Sequence, residues 1–224
     1  PKIRALKDGP YAAERFSLLR GSQGEMIKIS PYTHLCRCGR SADKPLCDNS
    51  HEIYGFKTGK LTGRQPDKQD IYKGKEITIR DNRGVCSHRG HCTDQLPSVF
   101  RMGVEPWIDP NGAPLEEIIR VIKMCPSGAL SYETMGTAVT DWNDEPNATL
   151  VKNGPLECQG ITMFSDEEDS RPETSDHYAI CRCGGSKNKP FCDGTHWNNG
   201  FTDEKDLSRP ASLSQRYMKE IHAM

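Results

Sequence analysis

The chain has 224 residues, 30 basic and 31 acidic side chains and a net charge of −1, which excludes the basic excess of a nucleic-acid-binding surface. No run approaches the ~18 apolar residues of a membrane-spanning helix, and the N-terminal stretch lacks the apolar region of a secretory signal, so a soluble, cytoplasmic chain with no membrane partner is expected. Hydrophobic residues make up 34% of the chain and cysteines number ten, a combination that points to metal or redox centres rather than large apolar cores.

In chain order, Met26–Ile29 reads as a strand leading into Cys36-Arg37-Cys38-Gly39. Cys47 and His51 complete a C-x-C-x8-C-x3-H pattern. Two cysteines one residue apart face one metal only from an extended or looped backbone. Cys47 and His51, four apart, would share one face of a helical turn, and Pro45 suits that helix's first turn. Leu61–Gln69 is polar, contains Gly63 and Pro66, and reads as a linker. Glu76–Arg80 alternates like a strand and Asp81–Gly84 reads as a turn. Cys86 and Cys92 form a C-x5-C element. Leu115–Met124 is apolar at 115, 118, 119 and 122, the spacing of an amphipathic helix, with Pro114 at its first turn and Cys125-Pro126 at its end. Asp141–Asn147 is polar and leads into a second cysteine-rich stretch. There Tyr178–Ile180 reads as a strand before Cys181-Arg182-Cys183-Gly184, and Pro190 suits a short helix carrying Cys192 and His196. Ser165–Asp176 reads as an acidic loop and 207–224 as a surface tail.

The two cysteine-rich stretches are copies. Residues 36–51 and 181–196 are identical at ten of sixteen positions at an offset of 145. Lys7, Gly9 and Pro10 map without a gap onto Lys152, Gly154 and Pro155, and Gly55-Phe56 onto Gly200-Phe201. Three thiolates and an imidazole suit either zinc or iron–sulfur chemistry. The residues Cys36-x-Cys38, Ser41, Pro45, Cys47-Asp48-x-Ser50-His51, and the closer Cys192-Asp193-Gly194-Thr195-His196, resemble the CDGSH iron–sulfur signature, the family of mitoNEET. Asn49 stands where that signature has Gly, and Asn tolerates the left-handed backbone.

The resemblance implies a 2Fe–2S cluster in each copy. Cys36 and Cys38 would hold one iron, with Cys47 and His51 on the other. Cys181 and Cys183, then Cys192 and His196, would do the same. Family members with one motif are dimers with paired clusters, so two copies in one chain imply a fused, monomeric pseudo-dimer. Its halves would pack about a pseudo-twofold axis, with strands near Lys7–Arg20 and Lys152–Phe164 exchanged between them. Because His51 and His196 are the sole non-thiolate ligands and free histidine titrates near pH ~6.5, protons compete with iron for the ring. Cluster absorbance is expected to decay faster at about pH 5.5 than at about pH 8; equal rates would contradict this.

Between the copies, Cys86, Cys92 and Cys125-Pro126 resemble single-cluster ferredoxins, helped by Leu96–Phe100, a strand-like Trp107–Asp109 and the run Cys125–Leu130. The resemblance covers about Tyr72–Tyr132. Bacterial-type ferredoxins place a further cysteine midway in the first element; here that position is Arg89, which cannot ligate iron. Three thiolates match a 3Fe–4S cluster. The alternatives are a 4Fe–4S cluster with a fourth ligand from His88, His91 or water, and a cluster-free domain with buried cysteines. These correspond to about seven, eight or four irons per chain.

Cys158 maps onto Ala13 and reads as a small buried residue. Lys44 and Lys189 either tune a cluster or guide partner docking, or are solvated loop lysines. Asp48 and Asp193 suit helix caps, and Trp107, Trp142 and Trp197 suit packing, Trp197 with an electron path as the alternative. Asn147-Ala148-Thr149 fits a glycosylation sequon, irrelevant in an intracellular chain. No nucleophile elbow, phosphate loop or dinucleotide fingerprint appears, so no enzyme is expected. The expected fold class is α+β, mostly short β. Its domains are a CDGSH-like unit at 1–67, a small ferredoxin-like α+β domain at 68–137, and a CDGSH-like unit with a tail at 138–224. The expected function is electron transfer with redox partner proteins. The alternatives are cluster storage or transfer to apo acceptors, redox or pH sensing, and a zinc-stapled interaction module.

Overall fold

The computed structural model describes residues 1–15, 18–142, 145–165, 174 and 176–208. Most of the expected Ser165–Asp176 loop and the tail beyond residue 208 lie outside the described residues. The fold is mostly short strands with few helices. Among the described residues no helix is long and apolar enough to cross a membrane.

The first copy opens with β1 (Lys2–Ala5) and β2 (Tyr11–Glu14), whose alternating Ile3, Ala5, Tyr11 and Ala13 are buried. It continues through β3 (Leu18–Arg20), β4 (Met26–Lys28), β5 (Tyr32–Leu35) and the one-turn helix α1 (Ser50–Ile53). The middle region holds β6 (Asp70–Lys73), β7 (Thr78–Asp81), α2 (His91–Gln95), α3 (Leu115–Ile122), β8 (Leu130–Thr134) and β9 (Thr137–Val139). The second copy holds β10 (Asn147–Leu150), β11 (Leu156–Gln159), β12 (Thr162–Ser165), β13 (His177–Ile180) and a 3₁₀ turn at Thr195–Trp197.

The first copy lends β3 and β4 to the second copy's sheet, and the second lends β12 to the first's. One sheet runs β12-β1-β2-β5 and the other β13-β11-β10-β3-β4. The cross-copy pairings are parallel, Lys2 beside Thr162 and Arg20 beside Thr149; the others are antiparallel. The copies share one apolar core, in which Ile3, Leu19 and Leu35 meet Leu150, Leu156, Ile180 and Phe191. Two ~50-residue units of this composition would each bury too little surface alone. Cys158 is fully buried in this core, as its small-residue reading expects.

The middle region has its own core. Strands β6-β7-β8-β9 form an antiparallel sheet. The apolar stripe of α3, with Ile118, Val121 and Ile122, packs with Ile77, Ile79 and Phe100.

Pro114 precedes α3 as expected, at its N-cap with ψ 146. Several local expectations shift. It is β5, not β4, that leads into Cys36. The segment expected as a strand at Trp107–Asp109 makes a single bridge, Phe100 to Ile108. The 61–69 linker is anchored, since the Leu61 amide donates to the Lys187 carbonyl (2.8 Å). Trp197 is 65% exposed and packs in no core, whereas Trp142 stacks between Tyr132 and His177 (5.9 and 5.0 Å).

Candidate metal centres

In each copy the last strand delivers the first two cysteines and a returning loop delivers the other two donors. Cys36 N–H donates to the Pro45 carbonyl (2.8 Å) and Cys47 N–H to the His34 carbonyl (2.9 Å). In the second copy Cys181 N–H meets the Pro190 carbonyl (2.8 Å) and Cys192 N–H the Ala179 carbonyl (3.0 Å). Both prolines therefore lie in the loop, after cis peptide bonds, not at a helix start. Cys47 and Cys192 also precede the helical turns, which begin at Ser50 and Thr195. Asn49 (φ 66) and Gly194 (φ 80) make the left-handed step that turns the histidines back. Asp48 and Asp193 hold that step, accepting from the Ser50 and Thr195 amides (both 3.0 Å) and from the Ala42 and Lys187 amides (both 2.8 Å).

The donors converge in pairs. Cys36 and Cys38 sulfurs are 3.9 Å apart, and Cys47 Sγ is 3.5 Å from His51 Nδ1. The second copy gives 3.6 Å for Cys181–Cys183 and 3.3 Å for Cys192–His196 Nδ1. In each cysteine pair one thiolate is stabilised by its neighbour's proton, which the resulting charge then holds in place. Burial pushes Cys47 up to about 11 and raises Cys192. Full deprotonation of such crowded thiols needs a bound cation, which is what a metal site supplies. The donor sets thus fit an iron–sulfur cluster or zinc.

The middle cysteines line one cavity of about 620 Å³ together with Asp81, His88, Arg89, His91 and Trp107. Burial and the neighbouring Cys125 push Cys86 up to about 12 and Cys92 up to about 11. Arg89 turns away to Glu157 (3.3 Å). His88 packs against Gly194 of the second copy, where an added Cβ would lie 2.8 Å from its ring.

These geometries agree with the comparisons. The family described as iron-binding zinc finger, CDGSH type, matches residues 8–52 and 153–197. A family described as divergent 4Fe–4S mono-cluster matches 72–135. An uncharacterized protein, YjdI, of Escherichia coli (strain K12) is 36% identical over 61 residues, 27% of this chain and 80% of that relative. Its counterpart in Escherichia coli O157:H7 matches to the same extent. The chain belongs to the CDGSH iron-binding family, with a divergent 4Fe–4S mono-cluster domain between its two copies. No solved structure matches it.

Residues that carry no donor atom complete the CDGSH sites. Gly39 (φ +75) and Gly184 (φ +73) sit where the two cysteine loops touch. A Cβ on Gly39 would lie 2.6 Å from the Cys183 carbonyl oxygen, and one on Gly184 would overlap the Cys38 carbonyl. Tyr11 of the first copy donates to the Cys181 carbonyl (2.8 Å). Arg37 and Arg182, between paired cysteines, are buried. Arg182 donates to the Gly154 and Val151 carbonyls (2.9 and 2.6 Å) and pairs with Asp203 (3.1 Å). The sequence signal for these roles was the repeated C-R-C-G itself. Lys44 and Lys189 are not solvated: both are buried, donating to the Ser41 and Ser186 carbonyls (2.8 and 2.6 Å).

Proposed function

We propose that this iron–sulfur protein is an electron-transfer protein, not an enzyme. Cys36, Cys38, Cys47 and His51 hold one 2Fe–2S cluster, and Cys181, Cys183, Cys192 and His196 the other. Cys86, Cys92 and Cys125 hold a third centre whose three thiolates are the ligand number of a 3Fe–4S core. The domains divide at 1–67, 68–137 and 138–224, and the CDGSH units form a pseudo-dimer within a monomer. The reciprocal β1–β12 and β3–β10 pairings and the reciprocal Gly39–Cys183 and Gly184–Cys38 contacts support a pseudo-twofold arrangement.

The contiguity of the three sites carries this reading. The middle cysteine loop lies on the second copy: the Asn188 amide donates to the Gly84 carbonyl, and His88 abuts Gly194. Cys192 is within electrostatic reach of Cys86. The second copy's cysteine loop in turn touches the first copy's. A relay therefore runs from middle centre to second copy to first copy, with a one-electron carrier protein serving each end.

Repeated dithionite reduction and air reoxidation of the full chain tests this. The expected result is a visible spectrum restored on each cycle. Progressive bleaching, or transfer to an apo-ferredoxin faster than spontaneous loss, would instead support cluster delivery. The half-exposed Cys47 of the first copy favours that second reading.

A further inference from the structure

We propose that Asp81 is the fourth ligand of the middle site, its carboxylate holding the iron that the three cysteines leave without a thiolate. This rests on the reading that Cys86, Cys92 and Cys125 hold a cluster. Asp81 ends β7 and lines the same cavity as the three thiols. Its side chain is 1% exposed, and its Oδ2 has no hydrogen-bond partner. The neighbouring cation, Arg83 Nε, is 3.9 Å from that oxygen, beyond hydrogen-bonding range. The Trp107 indole N–H also faces the carboxyl.

A buried carboxylate oxygen without a partner is costly, and iron in a thiol-lined cavity supplies one. Anionic oxygen is a competent ligand for iron. The other donors around the cavity are directed elsewhere or are poorer ligands. Arg89 is permanently protonated and paired with Glu157. His88 packs on Gly194. His91 opens α2 beside Arg89 and Asp94. Ser87 is buried with a free hydroxyl, but must lose a proton to become an anionic ligand.

The test is iron content with electron paramagnetic resonance on the full chain, purified without oxygen. Wild type is expected to hold about eight irons, four of them in the middle site, without the signal of an oxidised 3Fe–4S core. Asp81→Asn preserves shape but is a poor ligand. It should hold about seven irons and gain that signal. Asp81→Cys should restore about eight. Retention of about eight irons in Asp81→Asn overturns the proposal. So does a wild type with about seven, or loss of the fourth iron in Ser87→Ala instead. If wild type and Cys86→Ser both hold about four, the middle cluster itself falls, and this proposal with it.

Discussion

Gly184→Ala is expected to destabilise the chain by about 2–5 kcal/mol and to strip iron from both outer sites. The left-handed backbone costs an alanine roughly 1–2 kcal/mol, and overpacking against fixed backbone adds about 1–3 kcal/mol. The obstacle is the Cys38 carbonyl of the other copy, so the cysteine loops of both sites must move apart. Gly55→Ala and Gly200→Ala are the controls. Both glycines have positive φ (+59 and +68) but nothing within 4 Å of an added Cβ, so each should cost only about 1–2 kcal/mol. Thermal unfolding and iron content measure the difference. A Gly184→Ala protein no worse than Gly55→Ala would remove the close contact between copies from the account.

The two buried arginines should respond unequally although they occupy matched positions. Arg182→Met leaves the Gly154 carbonyl without its donor and removes the cation from Asp203 and the Val151 carbonyl, which then keep only the Asn153 and Gly154 amides. Breaking such a buried pair costs about 3–5 kcal/mol. Arg37→Met leaves the Leu6 carbonyl; Nε and Nη2 of Arg37 already lack partners. The Met side chain can also retain packing against Tyr11 and Phe56, over which the guanidinium lies (5.1 and 5.9 Å). That substitution should cost at most about 2 kcal/mol. Denaturant midpoints of the two variants give the order, and the reverse order would contradict this electrostatic asymmetry.

What was legible in the sequence follows from how local each feature is. The α3 helix was readable because its apolar spacing is set by its own period. The eight outer ligands proposed were readable because donor type and spacing repeat, Cys36 with Cys181 through His51 with His196, and Cys86, Cys92 and Cys125 because a C-x5-C element and a distant Cys-Pro carry their own signature. Features made by contact between distant segments were not. Strand exchange between the copies followed from the fused-dimer resemblance, but the partners and parallel direction of the β1–β12 and β3–β10 pairings did not, because no local pattern encodes a parallel partner so far along the chain. Pro45 misled because its carbonyl is taken by Cys36 N–H, which holds Cys47 in a loop instead of a helix. The sequence left Lys44 and Lys189 open between a role at the cluster and a solvated loop, because a lysine's burial depends on the carbonyl its amine reaches. Asp81 read as a turn residue; only the fold brings its carboxylate to the thiol-lined cavity.

The central claim is that one chain carries three iron–sulfur centres. Metal and acid-labile sulfide analysis of the full chain, with electron paramagnetic resonance after stepwise reduction, tests it most directly. The account predicts a coloured protein with about seven irons, or eight with Asp81 as fourth ligand, matching sulfide, and two kinds of reduced-cluster signal. A colourless protein with stoichiometric zinc, no sulfide and no such signals would contradict it.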